Sequence, residues 1–162
     1  MAKKRLGVGF VGGGFITNFH IRSFVGVRDA DVLGVMDPVR ERAAATAETA
    51  RKLRVGDAKP YTSVTDMVAD PDIDAIWICA PNYTRIEIME EIAHAVESGK
   101  GSIIGVSCEK PLGRNVAEAR KLREIVKKIG VLDGYLEDQI FSPSVTRGKE
   151  IVWSRGAAAA GR

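Results

Sequence analysis

Residues 5–37 read RLGVGFVGGGFITNFHIRSFVGVRDADVLGVMD, and this stretch decides the fold. The apolar run over residues 6–11 predicts a buried strand, which breaks into three consecutive glycines. The apolar spacing after the glycines predicts a helix, and a second apolar run over residues 32–36 predicts a strand that ends in Asp37. Strand, glycine turn, helix, strand and acid follow one another as they do in a dinucleotide-binding βαβ unit.

The glycine turn has the properties that a pyrophosphate site requires. Gly12 allows a tight turn out of the strand, where a Cβ atom would clash. Gly13 and Gly14 leave room for the backbone to approach the ligand. The amides of Phe15 and Ile16 open the next helix, where free N–H groups and the helix dipole favour an anion. We therefore predict that these five residues bind the cofactor, although a glycine turn in a purely structural βαβ unit is the alternative.

The acid that ends the second strand indicates which dinucleotide is bound. The carboxylate of Asp37 can accept hydrogen bonds from ribose hydroxyls and would repel a 2′-phosphate, which predicts NAD rather than NADP. Arg40 and Arg42 could contact a 2′-phosphate, but a charged helix face also explains them. Thr17 stands where the G-x-G-x-x-G pattern has its third glycine, and it is small enough for close packing of helix and strand.

Length and composition favour a single globular domain without a membrane segment. The chain has 162 residues, of which 45% are hydrophobic, and a net charge of +3 with no basic block, so nucleic acid is not indicated. No apolar run reaches the roughly 18 to 20 residues of a membrane helix, and we expect a cytoplasmic protein. Cys79 and Cys108 are interpreted as reduced, buried thiols, and no cluster of ligands predicts a metal.

Strands and helices continue to alternate along the rest of the chain. This alternation predicts an α/β fold with a doubly wound parallel sheet of about six strands and helices on both faces. Asp37 is expected to cap the next helix with Pro38 in its first position. The remaining predicted strands are 60–62, 74–79, 102–108 and 131–136, and the remaining predicted helices are 39–53, 64–69, 83–98, 115–128 and 143–153.

In such a sheet, ligands bind at the carboxyl ends of the strands. Four irregular segments follow predicted strands directly, namely 12–14, Asp37, 79–82 and 109–111. We therefore expect these four segments to meet at one edge of the sheet.

Over residues 6–150 the chain resembles the N-terminal cofactor domain of the Gfo/Idh/MocA oxidoreductases. The resemblance is carried by GFVGGGFITNFH, VMDP, PDIDAIWICAPN and CEKPL, and the EKP tripeptide after a buried strand is its most specific part. It implies an NAD- or NADP-dependent dehydrogenase that acts on a sugar, a cyclitol or a related polyol. It also implies a Rossmann domain over residues 1–140, followed at 141–162 by a linker helix and a Gly/Ala tail that lead towards a substrate domain absent from this chain.

The resemblance assigns further site residues. Pro81 and Asn82 would line the cofactor cleft, and Glu109 would lie near the nicotinamide ribose. Lys110 would reach the nicotinamide and the substrate hydroxyl, which makes it the candidate catalytic residue, since a lysine in a cleft can transfer a proton. Pro111 would follow a cis peptide bond.

The chain departs from the family pattern in several places. Arg85 stands where a histidine usually follows the Pro-Asn turn, and neither His20 nor His94 matches the family's catalytic histidine. Both histidines are interpreted as structural or solvated. Glu137 and Asp138 could form an acid–base or metal pair, but a solvated turn is the favoured interpretation.

Two functions therefore stay open at this point. The first is hydride transfer between NAD(P) and a polyol, and the alternative is a non-catalytic dinucleotide-binding module or truncated fragment. A domain that binds another nucleotide is a weaker third interpretation. We also expect an exposed apolar surface that includes the face beyond residues 131–136 and the side of the last helix with Ile151, Val152 and Trp153. This surface predicts either self-association into a homo-oligomer or a frayed C-terminal helix, and the alternative is a last helix that packs back on the sheet.

Overall fold

The computed structural model describes residues 5–154, and its centre is a six-stranded, all-parallel sheet. The strand order is β3-β2-β1-β4-β5-β6, which confirms the predicted doubly wound α/β fold. Residues 155–162, which include the Gly/Ala tail, lie outside the described part of the chain. The strands are β1 (Leu6–Val11), β2 (Ala30–Met36), β3 (Lys59–Tyr61), β4 (Ala75–Ile78), β5 (Gly105–Glu109) and β6 (Leu132–Leu136).

Helices connect the strands. Most bounds agree with the sequence analysis to within two residues. However, β5 begins at Gly105 rather than at residue 102, and residues 82–84 form a separate 3₁₀ turn before the fourth helix. The helices are α1 (Phe15–Ser23), α2 (Arg40–Lys52), α3 (Val64–Ala69), α4 (Arg85–Glu97), α5 (Val116–Ile129) and α6 (Pro143–Ser154).

Local capping explains several helix boundaries. The Asn115 side chain accepts a hydrogen bond from the amide of Glu118 at 3.0 Å, which starts α5 as predicted. The helix ends at Gly130, whose φ of 70° is the left-handed conformation that glycine favours. The prediction for α2 was wrong: Val39 is its N-cap, and Asp37 lies outside the helix. Asp37 instead accepts a hydrogen bond from the Val39 amide at 2.9 Å.

Both faces of the sheet are buried because consecutive strand side chains point to opposite sides. Phe10 belongs to a hydrophobic core with residues of α1 and α2, such as Ile21 and Ala47. The next residue, Val11, belongs to a second core with residues of α3, α4 and α5, such as Ile92. Helices therefore cover both faces, and the strand ends become the natural place for a ligand. Within residues 5–154, no helix is long and apolar enough to cross a membrane.

Candidate functional site

The strand order brings the predicted site segments to one edge of the sheet. Strands β2, β1, β4 and β5 are neighbours and parallel, so their carboxyl ends lie side by side. The amide of Gly12 donates to the Met36 carbonyl at 2.7 Å, which joins the ends of β1 and β2. Residues 79–82 follow β4, and Lys110 follows β5. The four segments therefore meet as expected, because the sheet is parallel throughout.

The first and third glycines of the turn have different surroundings. Gly12 has a φ of 99°, and a Cβ atom there would lie 3.0 Å from the Ala80 amide nitrogen. Only glycine fits this position without strain. Gly14 is the N-cap of α1, and a Cβ atom there would meet no atom within 4 Å. Gly12 thus shapes the turn, whereas Gly14 faces open space.

Two hydroxyl groups hold the turn in place. Thr17, fully buried, donates to the Gly12 carbonyl, and Thr46 of α2 donates to the Gly13 carbonyl at 2.9 Å. Thr17 therefore replaces the third glycine with a side chain that supports the turn. No side chain caps α1, and the first amides of a helix have no acceptor within the helix. A rigid turn with free donors facing open space fits a dinucleotide diphosphate.

Asp37 lies beside this turn and is only 3% exposed. Its Oδ2 accepts from the Gly13 amide at 2.8 Å, and Nη1 of Arg42 lies 3.5 Å from the same oxygen. Asp37 and Gly12 line one cavity together with exposed Pro81. Half-buried Asn82 begins the 3₁₀ turn behind Pro81, and Tyr83 and Thr84 complete this side of the wall.

A second cavity lies at the other end of the glycine turn. Phe15 and Ile16, the first residues of α1, form one wall, and Glu109 and Lys110 form another. Phe15 is 85% exposed. Because the two cavities flank one turn, an extended ligand with two halves joined by a diphosphate fits this edge.

Glu109 and Lys110 differ in their exposure. Glu109 is 6% exposed, and its Oε2 accepts a hydrogen bond from the Lys110 amide at 3.0 Å. Lys110 is exposed, so its ammonium group is free to meet a ligand in the cavity. The Lys110–Pro111 peptide bond is cis, as the family resemblance implies. The exposed ring of Pro111 continues the turn.

Arg85 lies in the candidate site, although the sequence showed it only as a departure from the family pattern. It is 4% exposed, and its Nε donates to the Ala80 carbonyl at 3.0 Å. Its Nη1 donates to the carbonyls of Glu109 and Pro111. One buried guanidinium thus binds the ends of β4 and β5 and the cis-proline turn. The buried carbonyls explain a charged residue there, but no local pattern could have revealed them.

His20 is a second residue whose position the sequence did not reveal. Its side chain is 18% exposed, and its Nε2 lies 2.7 Å from Oε1 of Glu109. His20 follows Thr17, a buried residue of α1, by three positions, which places both on the same side of the helix. This helical spacing is the one feature of the sequence that could have indicated the position of His20. His94, by contrast, is exposed on α4, as expected.

The remaining candidates have structural explanations. Glu137 and Asp138 lie in the turn after β6, on the rim of the second cavity, and Glu137 accepts a hydrogen bond from the Gln139 amide at 3.1 Å. Both cysteines are free thiols. Burial raises the pKa of Cys79 to about 12 and also raises the pKa of Cys108. Neither thiol is therefore an activated nucleophile.

Comparison with known proteins identifies relatives of this chain. The model of an oxidoreductase family with an NAD-binding Rossmann fold, GFO_IDH_MocA, matches residues 6–134. The chain is 29% identical over 126 residues to the 1,5-anhydro-D-fructose reductase of Ensifer adhaerens, covering 78% of this chain and 34% of that enzyme. It is 27% identical over 125 residues to the myo-inositol 2-dehydrogenase of Thermotoga maritima, covering 77% and 34%.

One solved structure has a similar fold over most of this chain. GenD2 from gentamicin A biosynthesis, in complex with NAD, superposes with a TM-score of 0.78 at 25% identity, over 95% of this chain and 40% of that protein. The chain spans about a third of the length of the two curated relatives named above.

Proposed function

Because the chain belongs to the Gfo/Idh/MocA oxidoreductase family, which has an NAD-binding Rossmann fold, we propose that it provides the cofactor site for hydride transfer to or from a sugar, cyclitol or related polyol. The observation that carries this proposal is the meeting of the glycine turn, Asp37 and the Glu109–Lys110 pair at one sheet edge. The names of two relatives, an anhydrofructose reductase and an inositol dehydrogenase, support the substrate class.

The residues of this chain divide the binding of the dinucleotide between them. The glycine turn and the first amides of α1 would hold the diphosphate, with Gly14 offering the open approach. Asp37 would hold the adenosine ribose, and Pro81 and Asn82 would line that half of the cleft. Glu109 would lie at the nicotinamide ribose. The nicotinamide ring, when bound, accepts or supplies the hydride at C4.

Lys110 would act on the substrate oxygen. In the oxidation direction, the carbinol carbon loses a hydride while its hydroxyl loses a proton, and in this proposal the proton goes to the Lys110 amine. In the reduction direction the ammonium returns that proton to the developing alkoxide. The exposure of Lys110 at the mouth of the second cavity supports this role, because its Nζ can reach a ligand there.

The proposal includes a preference for NAD over NADP. The Asp37 carboxylate lies at the end of β2, and its negative charge would repel a 2′-phosphate. Arg42 is the competing feature, because its guanidinium is half-exposed and lies 3.5 Å from Asp37 Oδ2. We expect the buried carboxylate to dominate because it is held in place by two backbone amides, whereas the Arg42 side chain is 54% exposed. Comparing the affinities of the unmutated chain for the two cofactors tests this preference.

Lys110→Met tests the catalytic part of the proposal. We expect this variant to bind NADH as the unmutated chain does, but to lose polyol oxidation in a panel of cyclitols and sugars. Lys100→Met changes an exposed lysine at the opposite edge of the sheet and is the matched control. Failure of the unmutated chain to bind either dinucleotide would contradict the proposal as a whole.

A non-catalytic dinucleotide-binding module is the second candidate. It is favoured by the extent of the match, since the chain spans about a third of the curated relatives' length. The division into a Rossmann domain over residues 1–140 and a following linker belongs to the same proposal. Binding of NADH without turnover on any polyol would support this candidate.

Self-association is a further part of the proposal. Among the described residues, α6 has no buried side chain, and Ile151, Val152 and Trp153 are 40%, 42% and 74% exposed. A contiguous apolar patch of more than a few hundred Å² is unusual on a monomer surface, and in this proposal the three side chains belong to one. Sedimentation over a range of concentrations tests whether the chain forms a homo-oligomer. The cytoplasmic location stays a prediction from the sequence.

A further inference from the structure

We propose that His20 is a positioning residue, which orients the Glu109 carboxylate and through it the nicotinamide half of the bound cofactor. This inference rests on the proposed function, because it concerns the same site. Its starting point is the hydrogen bond of 2.7 Å between His20 Nε2 and Glu109 Oε1. The two residues are 89 positions apart in the chain, and they come from different layers of the fold.

The imidazole of His20 is held by aromatic rings on several sides. The ring of Phe10 stacks on it with centroids 6.3 Å apart, and the ring of Trp77 meets it edge-on at 5.4 Å. Phe19 approaches from the solvent side at 6.3 Å. Packing of this kind restricts rotation of the imidazole, so Nε2 presents its hydrogen bond in a defined direction.

The carboxylate of Glu109 is fixed from two sides. Its Oε1 pairs with His20, and its Oε2 accepts from the Lys110 amide at 3.0 Å. A carboxylate has about four lone-pair sites, and these two contacts occupy two of them. The remaining sites can accept hydroxyl groups of a ligand in the second cavity, which Glu109 lines together with His20 and Lys110. Two fixed contacts leave the carboxylate in one orientation for that ligand.

Because His20 lies in α1, its hydrogen bond to Glu109 links two parts of the proposed site. The glycine turn leads into the N-terminus of α1, and His20 lies in the last turn of the same helix. The hydrogen bond therefore ties the helix that would hold the diphosphate to the strand end that would hold the second ribose. Loss of the bond should release Glu109 and affect the nicotinamide half of a ligand, while the glycine turn, supported by Thr17 and Thr46, stays in place.

The test compares two ligands that share the adenosine diphosphate half. NADH reaches the second cavity, whereas ADP lacks the nicotinamide and its ribose. Titration calorimetry of the full chain with both ligands is carried out for the unmutated protein, for His20→Leu and for His20→Gln. We expect His20→Leu to lower the affinity for NADH by about tenfold and to change the affinity for ADP by no more than about twofold. His20→Gln keeps an N–H donor and should recover most of the NADH affinity.

The controls separate positioning from a merely structural role. His94→Leu alters the exposed histidine of α4 and should change neither affinity. In a double-mutant cycle, Glu109→Gln should lower NADH affinity, and adding His20→Leu should cause little further loss, because both act on one carboxylate. If His20→Leu unfolds the chain, His20→Phe takes its place in the comparison and in the cycle, because it keeps an aromatic ring against Phe10 and Trp77 but has no hydrogen-bonding nitrogen.

Equal weakening of NADH and ADP by His20→Leu would overturn the proposal and show a structural role. Unchanged NADH affinity would overturn it as well. If the unmutated chain binds ADP but not NADH, the nicotinamide half is not recognised and this inference fails while the diphosphate site stands. If it binds neither, the proposed function itself fails, and the inference fails with it.

Discussion

Asp37 Oδ2 accepts a hydrogen bond of 2.8 Å from the backbone amide of Gly13. The contact joins the end of β2 to the glycine turn after β1, and Asp37 Oδ1 accepts a second one from the Val39 amide at 2.9 Å. The acid that would recognise the ribose therefore also holds the turn that would recognise the diphosphate. In the proposed site, cofactor selectivity and the local stability of the turn would therefore depend on one side chain.

Asp37→Asn should therefore lower both stability and selectivity. An amide presents one oxygen and one NH₂ group, so one of the two backbone donors loses its acceptor while buried. We expect the free energy of unfolding to fall by about 1–3 kcal/mol. The affinity for NAD should fall and the discrimination against NADP should narrow. Urea unfolding and cofactor titration measure these changes, with Asp57→Asn, an exposed aspartate, as control. Unchanged NAD affinity in Asp37→Asn would contradict the assigned role.

Gly12 and Gly14 should respond to substitution in opposite ways. Gly12→Ala places a Cβ atom against the backbone of Ala80 at a positive φ, and we expect a loss of about 1–3 kcal/mol of stability. Gly14→Val projects into open space at a φ of −83°, which any residue adopts. We therefore expect unchanged stability and NADH binding weakened by about tenfold or more.

Thermal unfolding and NADH titration distinguish the two glycine variants. Gly26→Val is the control for Gly14→Val, since a Cβ atom at Gly26 also meets open space and lies at the other end of α1. Normal NADH binding by Gly14→Val would show that the diphosphate does not lie against this turn.

Arg85→Lys should destabilise the site although the charge is kept. The guanidinium donates to three carbonyl groups, and a lysine ammonium at the same place cannot follow this planar arrangement. Buried carbonyls without donors reduce the free energy of unfolding by about 1–3 kcal/mol each. We expect the free energy of unfolding in urea to fall by at least about 2 kcal/mol. NADH should also bind more weakly, because Arg85 holds the turn that carries Lys110. The control Arg123→Lys, at an exposed position of α5, should leave the stability unchanged. Equal stability of the two variants would show that the three hydrogen bonds of Arg85 do not stabilise the site.

The pH dependence of stability should include a contribution from Asp70. The Tyr61 hydroxyl, the Asp72 amide and the Lys59 ammonium donate to this carboxylate, and they lower the pKa of Asp70 from its ordinary value of 3.8 to about 2. Since the pKa is lower in the folded state, the carboxylate stabilises the fold fully above about pH 4, and this stabilisation is lost as the pH falls towards 2.

Asp70→Asn removes this contribution. The variant should be less stable than the unmutated chain at pH 7, and the difference between them should shrink between about pH 4 and pH 2. Urea unfolding at a series of pH values measures the difference, with Asp29→Asn as an exposed control. A difference that stays constant with pH would show that the Asp70 carboxylate is not stabilised by its donors.

Local patterns in the sequence were sufficient for the fold and for the backbone of the site. The apolar periods of β1 and β2, the glycine turn and the Asn115 cap depend on residues within a few positions of one another, so their physics can be read along the chain. The alternation of strands and helices then fixed a parallel sheet, and a parallel sheet places Gly12, Asp37 and Glu109 at one edge without further information.

Only the tertiary structure decided how the site side chains contact one another. His20 reaches Glu109 across 89 positions, and Arg85 reaches the carbonyls of Glu109 and Pro111 across 24 and 26 positions. Such contacts depend on how α1 and α4 pack on the sheet, and no local spacing encodes that. The prediction of Asp37 as a helix cap failed partly for the same reason: besides the nearby Val39 amide, its carboxylate accepts from the Gly13 amide, 24 positions away in the chain.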